Sequence, residues 1–286
     1  MTYAEINATP VLLNIGEAHH NGDWNFKDVS SPFTRIHYVR KGRARIIRAG
    51  EVVELRPGYL YLTPPYVRHS YENDTPFETV YLHIYFNAPG KVVLFEWLDL
   101  PTVVPGGAEV ESVLSRLLTL HPDRMLRDYD PREYDNASGL AETLSDGSRD
   151  SLAVAMETEA LLRLLLARFL EGATARRERL DPRVEAALQY IGAHLDAHIA
   201  LEELAGAASL SKDHFIRLFT REVGLTPGRY INRRKIETAQ LRLLLSPMES
   251  VKSVAFSLGF DNLQYFNRLF SRLTGESPGR YRNSHR

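Results

Sequence analysis

The sequence predicts an α+β protein in which a β-barrel is followed first by helices and then by an all-helical domain. Short runs of β-branched and aromatic residues, separated by turn signals, fill residues 33–86, a pattern that is typical of barrels and sandwiches. From Glu109 onward the apolar residues recur at helical spacing instead. Residues 213–230 return 51 positions later as residues 264–281, which indicates that one helical unit occurs twice.

Composition limits the class of protein. The 286 residues are 44% hydrophobic and 25% charged, as in folded domains. The first residues contain no basic stretch followed by an apolar segment, and Arg163 and Arg168 interrupt the apolar run at 160–170. We therefore expect a cytoplasmic protein without membrane contact. The absence of cysteine excludes disulfides, thiolate metal sites and a cysteine nucleophile.

Charge is distributed unevenly along the chain. Residues 181–286 contain 15 Lys and Arg against 11 Asp and Glu, which leaves 20 against 25 in residues 1–180. A basic end beside an acidic body favours a polyanionic partner for that end.

Two helices are predicted between the barrel and the C-terminal domain. The first begins near Glu109, and the second covers residues 152–171 after a polar loop at 128–150 that is expected to be mobile. Leucines and Phe169 cover more of the second helix than one core face needs. This helix either packs against the barrel or forms a dimer interface, and the sequence leaves both interpretations open.

The repeat is close enough to exclude chance. Ten of the 18 aligned positions are identical, namely Phe215/Phe266, Arg217/Arg268, Leu218/Leu269, Phe219/Phe270, Arg221/Arg272, Gly224/Gly275, Pro227/Pro278, Gly228/Gly279, Arg229/Arg280 and Tyr230/Tyr281. One supersecondary unit is therefore present twice.

Each copy is predicted to contain two helices joined by a tight turn. Phe215, Leu218 and Phe219 form one apolar stripe, and Gly224 ends the helix. A shorter apolar helix precedes this one in both copies. Helix, turn, helix is the pattern of a DNA reader whose second helix enters the major groove. The alternative is a helical hairpin used only for packing, but Arg217 points away from the stripe, and its repetition favours DNA.

The ends of these helices are also predicted. Ser211 and Asp261 stand where N-caps are expected, and Gln264 follows Asp261 as in a capping box. Between the copies, Pro227 begins a helix that continues to the Ser246-Pro247 stop. About eighteen helical residues span roughly 27 Å. The two recognition helices can then lie about one DNA turn, roughly 34 Å, apart.

On these residues, the last hundred positions closely resemble the DNA-binding domain of the AraC/XylS family of transcription regulators. Lys235 stands where this family usually has Arg in its inter-unit helix. The matching positions are Leu201 to Ala205, Leu210, Ser211, Phe215 to Phe219, Gly224, Pro227, Tyr230, Ile236, Ala239, Val254, Ala255, Gly259 to Asp261, Tyr265, Phe266, Arg268, Phe270, Gly275, Ser277, Pro278, Tyr281 and Arg282.

The resemblance implies that base-reading side chains lie on the exposed faces of the recognition helices. Arg pairs with guanine, and Gln or Asn pairs with adenine. Asp213 either accepts a hydrogen bond from cytosine or is only a helix N-terminal charge. The candidates for phosphate contacts, any one of which is alternatively a solvated surface charge, are Arg221, Arg233, Arg234, Arg272 and Arg280. The base readers implied in this chain are Lys212, Asp213, Ile216 and Arg217 in the first unit and Asn262, Leu263, Gln264, Asn267 and Arg268 in the second.

The N-terminal half resembles the cupin-like sensor of the same family, a jelly-roll barrel, at Gly58, Pro64, His69 and Asn73. The first cupin motif has a His-x-His pair and a Glu, whereas residues 42–57 contain no His. His69 alone cannot hold a catalytic metal, which needs three or more protein ligands. We therefore expect no metal, no cofactor and no enzymatic activity.

The barrel is expected instead to bind a small-molecule effector, either a sugar or a small organic acid. The alternative is that its aromatic side chains simply fill the barrel. The residues predicted to contact the effector are Trp24, Arg35, Arg40, Lys41, His69, Tyr71, Tyr81 and His83.

The predicted organisation is a cupin-like barrel at 1–108, a helical dimerisation segment at 109–172, a linker at 173–181 and a tandem helix-turn-helix domain at 182–286. The predicted function is sequence-specific, effector-responsive regulation of transcription. The expected partners are double-stranded DNA, the effector, a second copy of the chain and RNA polymerase. Two alternatives remain: a ligand-independent regulator whose barrel is a dimerisation scaffold, and a cupin enzyme fused to a DNA reader.

Overall fold

The computed structural model describes residues 9–87, 94–131, 150–175, 180–245 and 248–283. These residues form two compact units. The first, the barrel unit, holds residues 9–87, 98–131 and 150–174, and the second, the helical unit, holds the described part of 175–286 together with residues 94–97. The predicted α+β fold, with a barrel before an all-helical domain, is confirmed.

Two antiparallel sheets make the barrel unit. The larger sheet has the strand order β1-β8-β3-β6-β10, and the smaller has the order β2-β7-β4-β5. The strands are β1 Thr9–Asn21, β2 Phe26–Val29, β3 Thr34–Gly42, β4 Ala44–Arg48, β5 Glu51–Leu55, β6 Tyr59–Thr63, β7 His69–Glu72, β8 Pro76–Asn87, β9 Leu98–Asp99, β10 Val103–Pro105 and β11 Thr174–Ala175.

The register of β3 against β8 decides which side chains enter the space between the sheets. Arg35 lies opposite His83, and His37 lies opposite Tyr81. Because side chains alternate along a strand, Arg35 and His37 share the face that also carries Val39. Val39 belongs to a buried cluster with residues of the smaller sheet, including Tyr71. The face between the two sheets is therefore the barrel interior.

Two long helices cover the outside of this unit. They are α2 Ala108–Leu120 and α3 Leu152–Glu171, preceded in the chain by the short α1 Leu94–Trp97 of the helical unit. Helix α2 begins within one residue of the predicted Glu109, and α3 has the predicted bounds. Helix α3 packs against α2, β1 and β10. Most of the loop expected to be mobile, residues 132–149, lies outside the described residues, as do residues 176–179 of the predicted linker.

The helical unit contains the two predicted helix-turn-helix copies, preceded by an additional helix. Its remaining helices are α4 Pro182–Ala193, α5 Leu201–Ala207, α6 Lys212–Val223, α7 Pro227–Leu245, α8 Val251–Ser257, α9 Leu263–Thr274 and α10 Pro278–Asn283. The first copy is α5 with α6, and the second is α8 with α9. Helix α7 joins them, and the Ser246-Pro247 stop predicted for it lies outside the described residues.

The helix ends follow the predicted chemistry with one correction. The Ser211 hydroxyl accepts a hydrogen bond from the His214 N–H at the start of α6, as expected. At the start of α9 the N-cap is Asn262, whose side chain accepts from the Tyr265 N–H at 2.9 Å, and not Asp261. The prediction for Asp261 is wrong because α9 begins at residue 263, which leaves Asp261 one position too early to cap it.

In the part of the chain that the structure describes, no helix has the length and apolar character needed to cross a membrane.

Candidate nucleic-acid interface and effector site

The two recognition helices present equivalent buried and exposed faces. In α6 the buried stripe is Phe215, Leu218 and Phe219, and in α9 it is Phe266, Leu269 and Phe270. Gly224 and Gly275 end these helices with φ values of 76° and 92°, a left-handed conformation that glycine adopts without a Cβ clash. Because the buried stripe lies along one side of each helix, the opposite side of each helix faces the solvent.

The exposed faces carry most of the predicted DNA contacts, and we call these two faces together the reading face. Ile216, Leu263 and Asn267 are partly buried at its edge. Among the described residues, Arg217, Arg268 and Arg272 have no ion pair, so their guanidinium groups are available to another partner. The exposed members of the reading face are Lys212, Asp213, Arg217, Arg221, Asn262, Gln264, Arg268 and Arg272.

Three of these side chains already have partners in the protein. The Lys212 ammonium contacts the Glu202 carboxylate of α5 at 2.5 Å, and Arg221 contacts Glu222 at 3.0 Å. The Asn262 side chain caps α9 by accepting a hydrogen bond from the Tyr265 N–H. A side chain that must leave such a partner gains less from a DNA contact, so the geometry favours Arg217 and Arg268 over these three as base readers.

Asn267 differs from the other predicted readers. Its Oδ1 atom is buried and, within the described residues, has no hydrogen-bond partner. In the repeat it corresponds to Ile216 of α6. The two units therefore present chemically different side chains at this shared position.

The barrel interior contains a polar cluster between the two sheets. Trp24 stacks on Tyr71 with ring centroids 4.0 Å apart, and the edge of His37 contacts Trp24 at 5.2 Å. The Tyr71 hydroxyl lies 2.8 Å from Nε2 of His69 and 3.5 Å from Nε2 of His37. All four side chains are buried. The structure thus brings together the predicted Trp24, His69 and Tyr71.

The hydrogen-bond pattern assigns the protons in this cluster. Nδ1 of His69 donates to the Val67 carbonyl at 2.8 Å, so Nε2 of a neutral His69 accepts from the Tyr71 hydroxyl. The Tyr71 oxygen then accepts from Nε2 of His37. Nδ1 of His37 is left as an acceptor, and it has no hydrogen-bond partner among the described residues.

Arg35 and His83 form the second part of the cluster. Arg35 is 1% exposed, and its guanidinium contacts Nε2 of His83 at 3.3 Å and the Ser31 hydroxyl. It also lies 5.0 Å from the centre of the Phe33 ring. A permanently charged group therefore lies beside neutral hydrogen-bonding groups inside the barrel.

Burial keeps the histidines neutral. It lowers the pKa of His69 to about 4, and the Arg35 charge acts in the same direction. Burial, followed by the charge of Arg35, also lowers the pKa values of His37 and His83 well below the usual value. A neutral imidazole can both donate and accept a hydrogen bond, as recognition of a hydroxyl group requires.

Tyr81 lies at the border of the cluster. Its ring is 5.7 Å from that of His83, but its hydroxyl accepts from the Leu126 N–H at 2.7 Å. Burial raises the pKa of Tyr81. This predicted effector contact therefore also holds the segment that follows α2 against the barrel.

Arg40 and Lys41 do not lie in the cluster with the other predicted effector contacts. Arg40 pairs with Glu17 and Glu111, and the exposed Lys41 pairs with Glu78 at 3.1 Å. The physical reason is a bulge in β3 between Val39 and Lys41, which breaks the alternation that would return Lys41 to the interior face.

His37 is the interior residue that sequence reasoning missed. It stands two positions after Arg35 on β3, so strand alternation could have placed it on the same face. Within the described residues, no group of three or more histidine, aspartate or glutamate side chains is arranged to hold a metal ion.

These features define the class of protein: a DNA-binding regulator with two helix-turn-helix units and a separate sensor barrel. A family model described as an AraC-like ligand binding domain matches residues 15–166, more than half of the chain. A second model, a helix-turn-helix domain, matches residues 204–284. The chain belongs to the AraC family and is a transcription regulator with a ligand-binding domain.

The chain is similar to individual members of this family over different lengths. It is 26% identical to the arabinose operon regulatory protein of Salmonella typhimurium over 250 residues, which cover 86% of this chain and 82% of that protein. It is 42% identical to the MmsAB operon regulatory protein of Pseudomonas aeruginosa over 93 residues, which cover 32% of this chain and 30% of that protein.

A solved structure supports the fold over nearly the whole chain. The unsaturated fatty acid bound ToxT of Vibrio cholerae aligns with a TM-score of 0.50 and 13% identity, covering 98% of this chain and 97% of ToxT. At this identity the likeness concerns the fold alone.

Proposed function

We propose that this regulator binds a small polyhydroxy or hydroxy-acid effector, a sugar or an organic acid, inside the barrel and binds its operator as a dimer. The observation that carries the effector proposal is Nδ1 of His37, a buried ring nitrogen without a hydrogen-bond partner among the described residues, which is an acceptor in the tautomer that donates from Nε2 to Tyr71. A buried acceptor that stays unpaired costs about 1–3 kcal/mol. A hydroxyl group of an effector would satisfy it.

The surroundings of His37 support the same ligand chemistry. The face of Trp24 is suited to the apolar face of a sugar ring, and Arg35 is suited to a hydroxyl or carboxylate group. The similarity to an arabinose operon regulatory protein favours a sugar. The ligand-independent alternative requires the polar interior to serve packing only, although apolar side chains would fill it at lower cost.

A thermal-shift screen of the full chain against sugars and small hydroxy acids tests the effector. A compound present at about 100 times its dissociation constant is expected to stabilise the protein by roughly 2.7 kcal/mol. His37→Phe, which keeps a planar ring but removes the acceptor, is expected to abolish the shift. Lys41→Met is the matched control, because Lys41 lies outside the interior cluster, and it should retain the full shift.

Two results would count against the proposal. If no compound of either class shifts the melting temperature, the scaffold interpretation is favoured. If His37→Phe responds like the unchanged protein, the effector lies elsewhere. Elemental analysis of the purified protein tests the enzyme alternative. A metal-dependent cupin enzyme would contain about one metal ion per chain, and this result would favour an enzyme over a binding barrel.

The dimer proposal rests on the outer face of α3. The inner face of this helix buries Leu162, Leu165 and Phe169 against the barrel. The outer face exposes Met156 by 65% and Leu164 by 57%, with Ala160 between them and Ala167 after them. The inner face packs against the barrel, and we propose the dimer interpretation for the outer face.

The charges at the edges of this outer face favour a second copy as its partner. Arg116 contacts Glu157 at 2.6 Å, and Arg163 contacts Glu159 at 2.8 Å. Because these charges are neutralised within the chain, two identical faces can meet without like-charge repulsion. Small alanines let two such helices approach closely around a two-fold axis.

Sedimentation of the full chain at micromolar concentration tests this interface. We expect a dimer for the unchanged protein and a monomer for Leu164→Asp, since the variant buries an unpaired carboxylate at the centre of the interface. Val52→Asp is the control, because Val52 is 58% exposed on β5 of the same unit and should leave the dimer intact. A dimeric Leu164→Asp would contradict the assignment.

The remaining proposals follow from this function. We place the regulator in the cytoplasm, where it reaches chromosomal DNA, with the domain boundaries given by the sequence. RNA polymerase is the expected partner whose access to the promoter the bound regulator changes.

A further inference from the structure

The two helix-turn-helix units meet at a second place besides helix α7. Gly259, in the turn before α9, has a φ of 66°, and a Cβ added to it would lie 2.5 Å from the carbonyl carbon of Ala197. Ala197 lies in the segment between α4 and α5, which leads directly into the first helix-turn-helix copy. The turn of the second helix-turn-helix copy therefore lies directly against the backbone that leads into the first copy.

One side chain touches both sides of this junction. Lys235, near the middle of α7, is 4% exposed. Its ammonium donates a hydrogen bond to the Ala197 carbonyl at 2.7 Å and lies 5.5 Å from the centre of the Phe260 ring. Phe260 contacts Phe266 of α9 at 5.1 Å. A series of direct contacts therefore connects the segment before the first helix-turn-helix copy, through Lys235 and Phe260, to the second recognition helix.

Elsewhere, α7 packs on the first copy near its start and on the second copy farther along, and Asn232 near its start also donates to the Tyr265 hydroxyl of α9 at 3.0 Å. Near its start, Tyr230 contacts Phe219 of α6 with ring centroids 5.7 Å apart. Further along, Gln240 donates to the Tyr281 hydroxyl at 3.2 Å in the second unit. Long helices curve gently along their length, so the relative orientation of the two ends of α7 depends on the contacts made between them. The contacts of Lys235 lie between these two places.

We propose that Lys235 is a positioning residue that holds the two recognition helices at a fixed relative orientation. A fixed orientation sets the number of base pairs between the two major-groove segments that one chain reads. In this proposal Lys235 acts without contacting DNA, since it is 4% exposed and its ammonium is hydrogen-bonded to Ala197. This inference rests on DNA binding by the reading face, but its first test is made without DNA.

The chain contains no cysteine, so spin labels can be introduced at chosen positions of the full chain. Arg221→Cys and Arg272→Cys place labels at equivalent positions in the last turns of α6 and α9. Pulsed electron resonance then gives the distribution of distances between them. We expect one narrow distribution with Lys235 and a clearly broader one in Lys235→Met.

Two further lysine variants show whether the effect comes from the junction. Lys252→Met is the matched control, because Lys252 also lies over an aromatic ring, Phe256, at 5.6 Å, but does not join the units; its distribution should stay narrow. Lys235→Arg keeps the charge and the donor and should restore the narrow distribution. A narrow distribution in a folded Lys235→Met would overturn the proposal.

A glycine pair tests the same junction if Lys235→Met does not fold. Gly259→Ala and Gly275→Ala both force a Cβ into a left-handed conformation, but at Gly275 nothing lies within 4 Å of the added atom. Only Gly259→Ala is expected to shift or broaden the distance distribution. Equal distributions in the two variants would overturn the proposal.

The consequence for DNA is measured with the duplex that the full chain selects from a random-sequence pool. We expect Lys235→Met to bind this duplex about tenfold more weakly. We also expect it to lose less affinity than the unchanged chain when two base pairs are inserted between the two segments. If the unchanged chain and Lys235→Met lose the same affinity on insertion, the positioning role is contradicted. If the unchanged chain selects and binds no duplex at all, the result contradicts DNA binding by the reading face and leaves the distance measurements as the test of Lys235.

Discussion

Arg217→Ala is expected to weaken binding to the selected operator duplex by about 5- to 150-fold, which corresponds to about 1–3 kcal/mol, while binding to a scrambled duplex hardly changes. Arg217 is exposed on α6, opposite the buried Phe215 and Phe219, so its removal leaves the core intact. Without an ion pair among the described residues, its guanidinium group is available for two parallel hydrogen bonds to guanine.

The comparison with two other arginines makes this prediction specific. Arg272→Ala, at a position expected to contact phosphate, should weaken both duplexes about equally and reduce the slope of log affinity against log salt by about 1. Arg268→Ala should show a smaller operator-specific loss than Arg217→Ala, because the exposed Gln264 can share the reading on α9. Fluorescence anisotropy on both duplexes, with thermal melts of each variant, measures these effects. Equal losses on both duplexes for Arg217→Ala would refute its role as a base reader.

The stability of the barrel unit is expected to fall steeply below about pH 6.5. His69 has a pKa of about 4 in the folded protein, whereas it titrates near 6.5 when unfolded. Between these two values the unfolded state binds more protons, so acid favours unfolding, and stability is complete only above about pH 6.5. For His69 alone the loss is about 3 kcal/mol at pH 4. His37 and His83 add to it, since burial lowers their pKa values as well.

Calorimetric unfolding between pH 4.5 and pH 8 measures this dependence. His69→Asn should reduce the slope of stability against pH, because the group that protonates on unfolding is removed. His19→Asn is the control, since His19 is exposed on β1, and its slope should match that of the unchanged protein. A slope that His69→Asn does not alter would mean that His69 is not the buried neutral group described here.

Local spacing was sufficient to predict the helical unit. The stripe of Phe215, Leu218 and Phe219 and the stop at Gly224 depend only on neighbouring residues, as helices do. The cap of α9 was assigned to Asp261 instead of Asn262 because two adjacent residues can both cap a helix, and only the backbone of the preceding turn selects between them.

The barrel was predicted less completely because its strands pair across long distances in the chain. Strand β1 pairs with β8, but it has an irregularity between Leu12 and Asn14 and lies outside the predicted strand region at 33–86. Sequence reasoning found Arg35 and His83 but missed His37 between the sheets, and it grouped Lys41 with them because a bulge cannot be located by alternation alone.

The duplication of the helix-turn-helix copy has a consequence for the DNA itself. The two halves of the reading face share Arg217 and Arg268, but Asp213 in α6 corresponds to Gln264 in α9, and Ile216 corresponds to Asn267. Two unlike halves cannot exchange places on a duplex. On the proposed reading of DNA by this face, the sequence that one chain recognises is asymmetric, so the orientation of that sequence on the duplex sets the direction in which the bound chain lies.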